Sequence, residues 1–212
     1  MKRPAVRLLT LSLPFAFCLA AAALYAPAAP RPSSRATNAQ DAARPADEMD
    51  AEEYAVLSAV LGAGGPFLIK DETEHWQDVA GGREGFNAEL KQSSKELLDE
   101  TIEDYWAKNR NPHKLAARFD TKMRYTFISA EYLDNLFKAK GPLAGWEEFY
   151  KKYPKYGFVT FSRVGFSADK TQALVYHSYG CGPMCGGGGY LLLVKKGGVW
   201  IEKGSVGSSW VS

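Results

Sequence analysis

Four side chains between positions 177 and 185 carry the soft-ligand chemistry of this chain: His177, Cys181, Met184 and Cys185. The spacing His-x3-Cys-x2-Met-Cys brings one imidazole, two sulfurs that can ionise and one thioether within reach of each other. Such donors suit Cu(I). The same two cysteines support two other chemistries. In an oxidising compartment a pair this close closes as a disulfide, and the bridge then staples the glycine-rich stretch Gly180–Gly189. A thiol-redox pair is the third reading, but the Cys-x-x-Cys spacing at a helix N-terminus that depresses a thiol pKa is missing. The disulfide Cys181–Cys185 is the leading expectation. The metal set His177, Cys181, Met184 and Cys185 is the alternative, and no cofactor is expected.

Other candidates have simpler explanations. Asp71, Glu72, Glu74, His75 and Asp78 form the densest acid cluster with a histidine and could ligate a divalent ion or move protons. No metal-ligand spacing is matched there, so a solvated strand end or loop is expected. Asp99, Glu100, Glu103 and Asp104 place like charges at i,i+4, each costing a few tenths of a kcal/mol. They read as a solvated helix face partly offset by Lys95 and Lys108, or as an acidic docking surface. The glycine run lacks the Gly-Lys-Ser/Thr and the helix of a phosphate loop. Gly204-Ser205-Val206-Gly207 lacks the Gly-x-Ser-x-Gly spacing of a hydrolase elbow. His113 and His177 have no acid neighbour in sequence that would reveal a triad.

The elements that must position these residues follow an export signal. Met1–Arg7 is short and basic, Leu8–Ala26 is uncharged and apolar, and Ala26-Pro27-Ala28 is a small-x-small cleavage site. That order is secretory. Residues 1–28 are therefore a signal peptide, or the run stays as an uncleaved anchor. Either way the rest of the chain lies outside the cytoplasm, in the periplasm or secreted. Cys18 sits inside the apolar run behind Phe17, the wrong residue for lipidation, so Cys181 and Cys185 are the pair left after processing. Residues 29–50 are rich in Ala, Pro and Arg and read as a disordered linker. Residues 51–212 read as a single domain.

Within that domain the first half is helical. Tyr54, Leu57 and Leu61 give one face to a helix over 51–61. Phe67–Lys70 is a short strand candidate and Gly81–Gly85 a loop. Ser93 and Glu96 form a capping-box pair for a helix over 95–108, with Leu98, Ile102, Tyr105 and Trp106 inward. A short helix is expected over 112–119. Ser129 caps a helix over 130–139, and Trp146, Phe149, Tyr150 and Tyr153 mark another that stops at Pro154. The period then drops to two. Strands are expected at 158–163, 173–179, 190–196 and 199–203, with 209–211 as a fifth. Ser167–Lys170 is a turn, and Gly197-Gly198 suits a type I′ hairpin. The fold class is α+β: N-terminal helices packed on a C-terminal antiparallel meander of four to five strands.

Composition narrows function. The chain has 212 residues, 46% hydrophobic and 24% charged, which excludes a wholly disordered, collagenous or coiled-coil protein. Net charge is +2. Without Lys2, Arg3 and Arg7 the balance is 23 basic to 24 acidic residues, a net of −1. That argues against a nucleic-acid partner. No membrane contact beyond an uncleaved anchor is expected.

One resemblance is visible in the second half. Ser162-Arg163-Val164-Gly165-Phe166, Ala173-Leu174-Val175-Tyr176, Cys181-Gly182, Cys185-Gly186 and Tyr190, with Trp200, form a pattern similar to that of an uncharacterised family of exported bacterial proteins. The family carries no assigned activity, so the resemblance implies export and no catalytic residue. More loosely, helices before a meander with a Gly-Gly-x-Trp hairpin are similar to nuclear-transport-factor-like domains, whose fold hosts enzymes and binders alike. The leading functional expectation is a non-catalytic exported domain that binds a ligand or protein outside the cytoplasm. The alternatives are a soft-metal or thiol-redox protein using Cys181 and Cys185, and a hydrolase whose site residues are distant in sequence.

Overall fold

The computed structural model describes residues 48–62, 67–75, 82–122, 124–154 and 156–212. The expected signal peptide, nearly all of the linker, and Asp78 of the acid cluster lie outside the described residues. Four helices and seven strands follow in order: α1 (Ala51–Leu61), β1 (Phe67–Lys70), α2 (Gly82–Ser93), α3 (Asp99–Lys108), β2 (Tyr125–Ile128), α4 (Ala130–Lys152), β3 (Phe158–Phe161), β4 (Gly165–Phe166), β5 (Gln172–Gly182), β6 (Cys185–Lys196) and β7 (Val199–Val211). The class is α+β.

The strands form one sheet in the order β2-β1-β3-β5-β6-β7, with β4 paired to β5. From β3 to β7 the neighbours are antiparallel, as the short connections require. The expected meander of four to five strands is corrected at its other edge. β1 runs parallel to both β2 and β3, so the sheet is mixed and has seven strands. Those parallel pairs join residues far apart in sequence, such as Leu68 with Thr126 and with Phe158.

Side-chain alternation divides the sheet into two faces. Ile69, Phe161, Ala173, Val175, Leu191 and Leu193 face α1, which contributes Tyr54, Val56, Leu57 and Leu61. Leu174, Tyr190 and Leu192 point the other way, against Phe86 and Leu90 of α2 and Ile102 and Tyr105 of α3. On that second face α4 supplies Leu133, Leu136, Trp146 and Phe149 against Leu68 and Ile128. Each large apolar side chain buried in this way contributes about 1.5–3 kcal/mol.

Local chemistry sets the ends. α1 has a capping box: Asp50 Oδ1 accepts from Glu53 N at 2.8 Å, and Glu53 Oε2 accepts from Asp50 N at 3.0 Å. Ser129 caps α4 as expected, accepting from Tyr132 N. α4 is broken at Gly141, whose φ of 71° precedes Pro142, so its halves match the two helices read from the sequence. Gly197 and Gly198 have φ of 58° and 84°, the left-handed pair that a type I′ hairpin needs.

Several boundaries move. Residues 82–85 open α2 instead of forming a loop. Ser93 does not cap the next helix. Its hydroxyl donates to Leu90 O and accepts from Gly207 N. α3 therefore starts at Asp99, and Leu98 is the cap residue without a side-chain cap bond. Gln172 of β5 fills that role from 74 positions away, accepting from Leu98 N at 2.8 Å and from Thr101 Oγ1 at 3.1 Å. Leu97 is fully buried and Leu98 is 43% exposed, which reverses the expected phase at this end. No helix forms over 112–119. Thr73 N donates to His113 O and Leu115 N to Asp71 O, so this segment runs extended beside 71–73.

Candidate functional site

The two cysteines meet at the tip of the β5–β6 hairpin. Gly182 pairs with Cys185, which leaves Pro183 and Met184 as the turn. Cys181 and Cys185 form a disulfide with a Cα–Cα separation of 5.0 Å, inside the range a bridge tolerates. The glycines after it do not form a loose loop. Gly186–Gly189 pair along β5, and Gly187–Gly189 also pair along β7. Glycine is a poor strand residue, but aromatic neighbours cover the bare backbone. A Cβ at Gly187 would lie 3.0 Å from the Tyr179 ring, and one at Gly188 would lie 2.8 Å from Trp210 Nε1. The tip is anchored on its other side by Tyr150 of α4, whose hydroxyl donates to Cys181 O.

Below this tip the sheet face occupied by α1 is left open. β5 alternation puts His177 and Tyr179 on that face, in line with Ala173 and Val175. Val159 of β3 is the register partner of Tyr179. Together with Gly157, Phe158 and Cys181 they bound a concave cavity of about 330 Å³. Most of its wall is apolar. Tyr179 is 45% exposed. His177 is half-buried, and among the described residues no hydrogen bond to its imidazole is present. Burial holds its pKa below the ordinary 6.5, with Glu202 of β7 pulling weakly the other way. At neutral pH the ring is therefore uncharged, one nitrogen donating and the other accepting.

The alternative metal set is only partly brought together. His177 and Cys181 line the same cavity, while Met184 is 86% exposed at the turn. Both sulfurs are consumed in the bridge, so neither is a thiolate that could bind a metal. Among the described residues no group of three His, Cys, Asp or Glu side chains is placed to hold a metal ion.

The acid clusters are structural ties. Asp71 Oδ1 accepts from Ala130 N at 2.8 Å, satisfying an orphan amide at the start of α4. Asp71 and Glu72 both pair with Lys114, and Glu74 pairs with Lys70 at 2.7 Å. On α3, Asp104 accepts from Phe166 N at 2.7 Å and from Lys108, and Glu100 accepts from Ala168 N at 3.0 Å. Glu103 pairs with Arg83 and Asp99 with Lys91. Asp99, Glu100 and Glu103 are exposed, as expected of a solvated face, while Asp104 and Glu100 also hold β4 and the 167–170 turn.

The Ser-Arg-Val-Gly-Phe stretch is structural as well. Ser162 Oγ accepts from Tyr176 N and donates to Arg163 O. Arg163 donates to Glu53 from Nε at 3.1 Å and from Nη2 at 2.9 Å. Val164 is buried in the core. A Cβ on Gly165 would fall 2.5 Å from Tyr105 N, so only glycine lets β4 lie against α3. Phe166 packs on Trp200. Val159 and Tyr179 escaped the sequence reading. The two-residue period of β5 could have grouped Tyr179 with His177, but Val159 joins them only through the β3–β5 register. Comparison with known protein families, with curated proteins and with solved structures finds no match for this chain.

Proposed function

We propose that this chain is an exported α+β binding domain and that it holds a small apolar ligand in the cavity beneath the disulfide-closed hairpin. The observation that carries the reading is the cavity itself. It offers about 330 Å³ of concave, largely apolar space, at the lower end of the range for small-molecule sites. Two side chains with polar atoms line it, the His177 imidazole and the Tyr179 phenol. None of the described residues that line it carries a carboxylate, and in the two acid clusters Asp71, Glu100 and Asp104 hold backbone amides while Glu74 pairs with Lys70. Export is supported by the Cys181–Cys185 bridge, which persists in an oxidising compartment, and by the charge order of residues 1–28. The bridge fixes the rim of the cavity at Cys181.

The experiment is titration of the purified, oxidised protein with toluene, read on the Val159 methyl signals by NMR. Saturable shifts at Val159, accompanied by shifts of the His177 and Tyr179 amides that are lost in Val159→Trp, support the reading. Unchanged Val159 signals up to the solubility limit of toluene contradict it.

A further inference from the structure

We propose that the cavity takes a neutral planar ring carrying one hydrogen-bonding group, the ring against Val159 and Tyr179 and the polar group paired with His177. This rests on the cavity being a binding site, and it adds which ligand the site selects. Three observations lead there. The volume of about 330 Å³ suits one or two rings and leaves little room for a peptide or a sugar chain. The walls are apolar and include the exposed Tyr179 phenol ring and the Cys181 end of the disulfide, surfaces on which a flat ring packs well. Of the two polar side chains on the wall, the Tyr179 phenol lies over Gly187, and the half-buried His177 imidazole has no hydrogen bond from the described residues. Its ring nitrogens are reached by solvent, and a ligand group that replaces that water with a direct hydrogen bond gains the net worth of one such bond.

Charge selects against other ligands. No Lys or Arg side chain lines the space, so an anion would lose its hydration without a counter-charge. Glu202 lies near enough to act on His177 but does not line the cavity, so a cation finds no counter-charge inside it either. A second cleft, of about 600 Å³ between α4 and β1, has the opposite character: Lys70, Glu74, Asp134 and Lys138 line it. It suits charged groups.

The test compares p-cresol, toluene and 4-methylbenzylamine on the oxidised full-length protein by NMR titration. The three share a ring and differ in the polar group: a neutral hydroxyl, none, and an ammonium. The expected result is p-cresol binding about five- to tenfold tighter than toluene, the worth of one hydrogen bond, and no saturable shift with 4-methylbenzylamine. In His177→Leu the two neutral probes should bind equally, at the level of toluene on the wild type. The His177 ring nitrogen shifts give a readout that needs no variant: p-cresol should move them and toluene should not. Equal affinity of p-cresol and toluene for the wild type, or a p-cresol preference that survives in His177→Leu, overturns this inference while toluene binding leaves the cavity standing. Saturable binding of the amine at Val159 overturns the claim of neutrality. If neither neutral ring binds, the cavity reading fails, and this inference fails with it.

Discussion

The guanidinium of Arg163 lies against the carboxylate of Glu53, two bonds deep, with both side chains almost wholly buried. Glu53 also accepts from Val164 N at 3.3 Å and closes the α1 capping box. One carboxylate thus ties the first helix to the strand edge that begins Val164-Gly165-Phe166. Breaking a buried pair strands the remaining charge at a cost of about 3–5 kcal/mol. Glu53→Gln and Arg163→Met should each lower the denaturant midpoint strongly. Arg163→Lys should not restore it, because an ammonium lacks the planar fork that reaches both carboxylate oxygens. Near-wild-type midpoints for all three would contradict this role.

The phase of the chain before α3 has a direct consequence. Leu97→Ala removes a fully buried side chain from the cluster of Leu90, Ile102 and Tyr190 and should cost about 2–5 kcal/mol. Leu98→Ala trims an exposed one and should cost well under half as much. Urea midpoints of the two variants separate the cases, and a larger loss for Leu98→Ala would restore the helix phase read from the sequence.

His177 makes stability depend on pH. Its folded pKa lies below the ordinary 6.5, so on acidification the unfolded chain takes up the proton first. The uncharged ring's contribution is complete above 6.5 and is lost as pH falls toward the folded value. Between about pH 7.5 and about pH 5.5 the wild type should lose more stability than His177→Gln. Parallel curves for the two proteins would mean that the imidazole is not desolvated.

The bridge at the hairpin tip should resist alkylation. Cys181 and Cys185 should stay unmodified in protein from an oxidising compartment until a reductant is added, as read by mass. The small loop stabilises by about 2 kcal/mol. Cys181→Ser with Cys185→Ser should therefore fold, with faster amide exchange confined to the tip. Alkylation of both cysteines without reductant would show free thiols and reopen the metal set with His177 and Met184.

Legibility in the sequence followed the range of the interactions. α1, the cap at Ser129, the Gly197-Gly198 hairpin and the cysteine pair are local, and their residues sit within a few positions of each other. Pairings across long separations were not legible. β1 is legible as a strand over Phe67–Lys70, but β2 is not, and nothing local shows that the two pair in parallel across more than fifty positions. The cap of α3 comes from Gln172, which no capping rule would find. The glycine run looked like a loop because its partners, Tyr179 and Trp210, act across strands. His177 and Cys181 stand out in the sequence by their ligand chemistry. The cavity they share is set by register, and Val159 enters it only once β3 lies beside β5.

The most direct test of the cavity is a map of backbone amide shifts on titrating the oxidised protein with p-cresol. Saturable changes centred on Val159, His177, Tyr179 and Cys181 are expected, with α2 silent and Val159→Trp abolishing them. Changes centred on Leu133, Asp134 and Lys138 in the other cleft, or no saturable change at all, would contradict binding in the cavity.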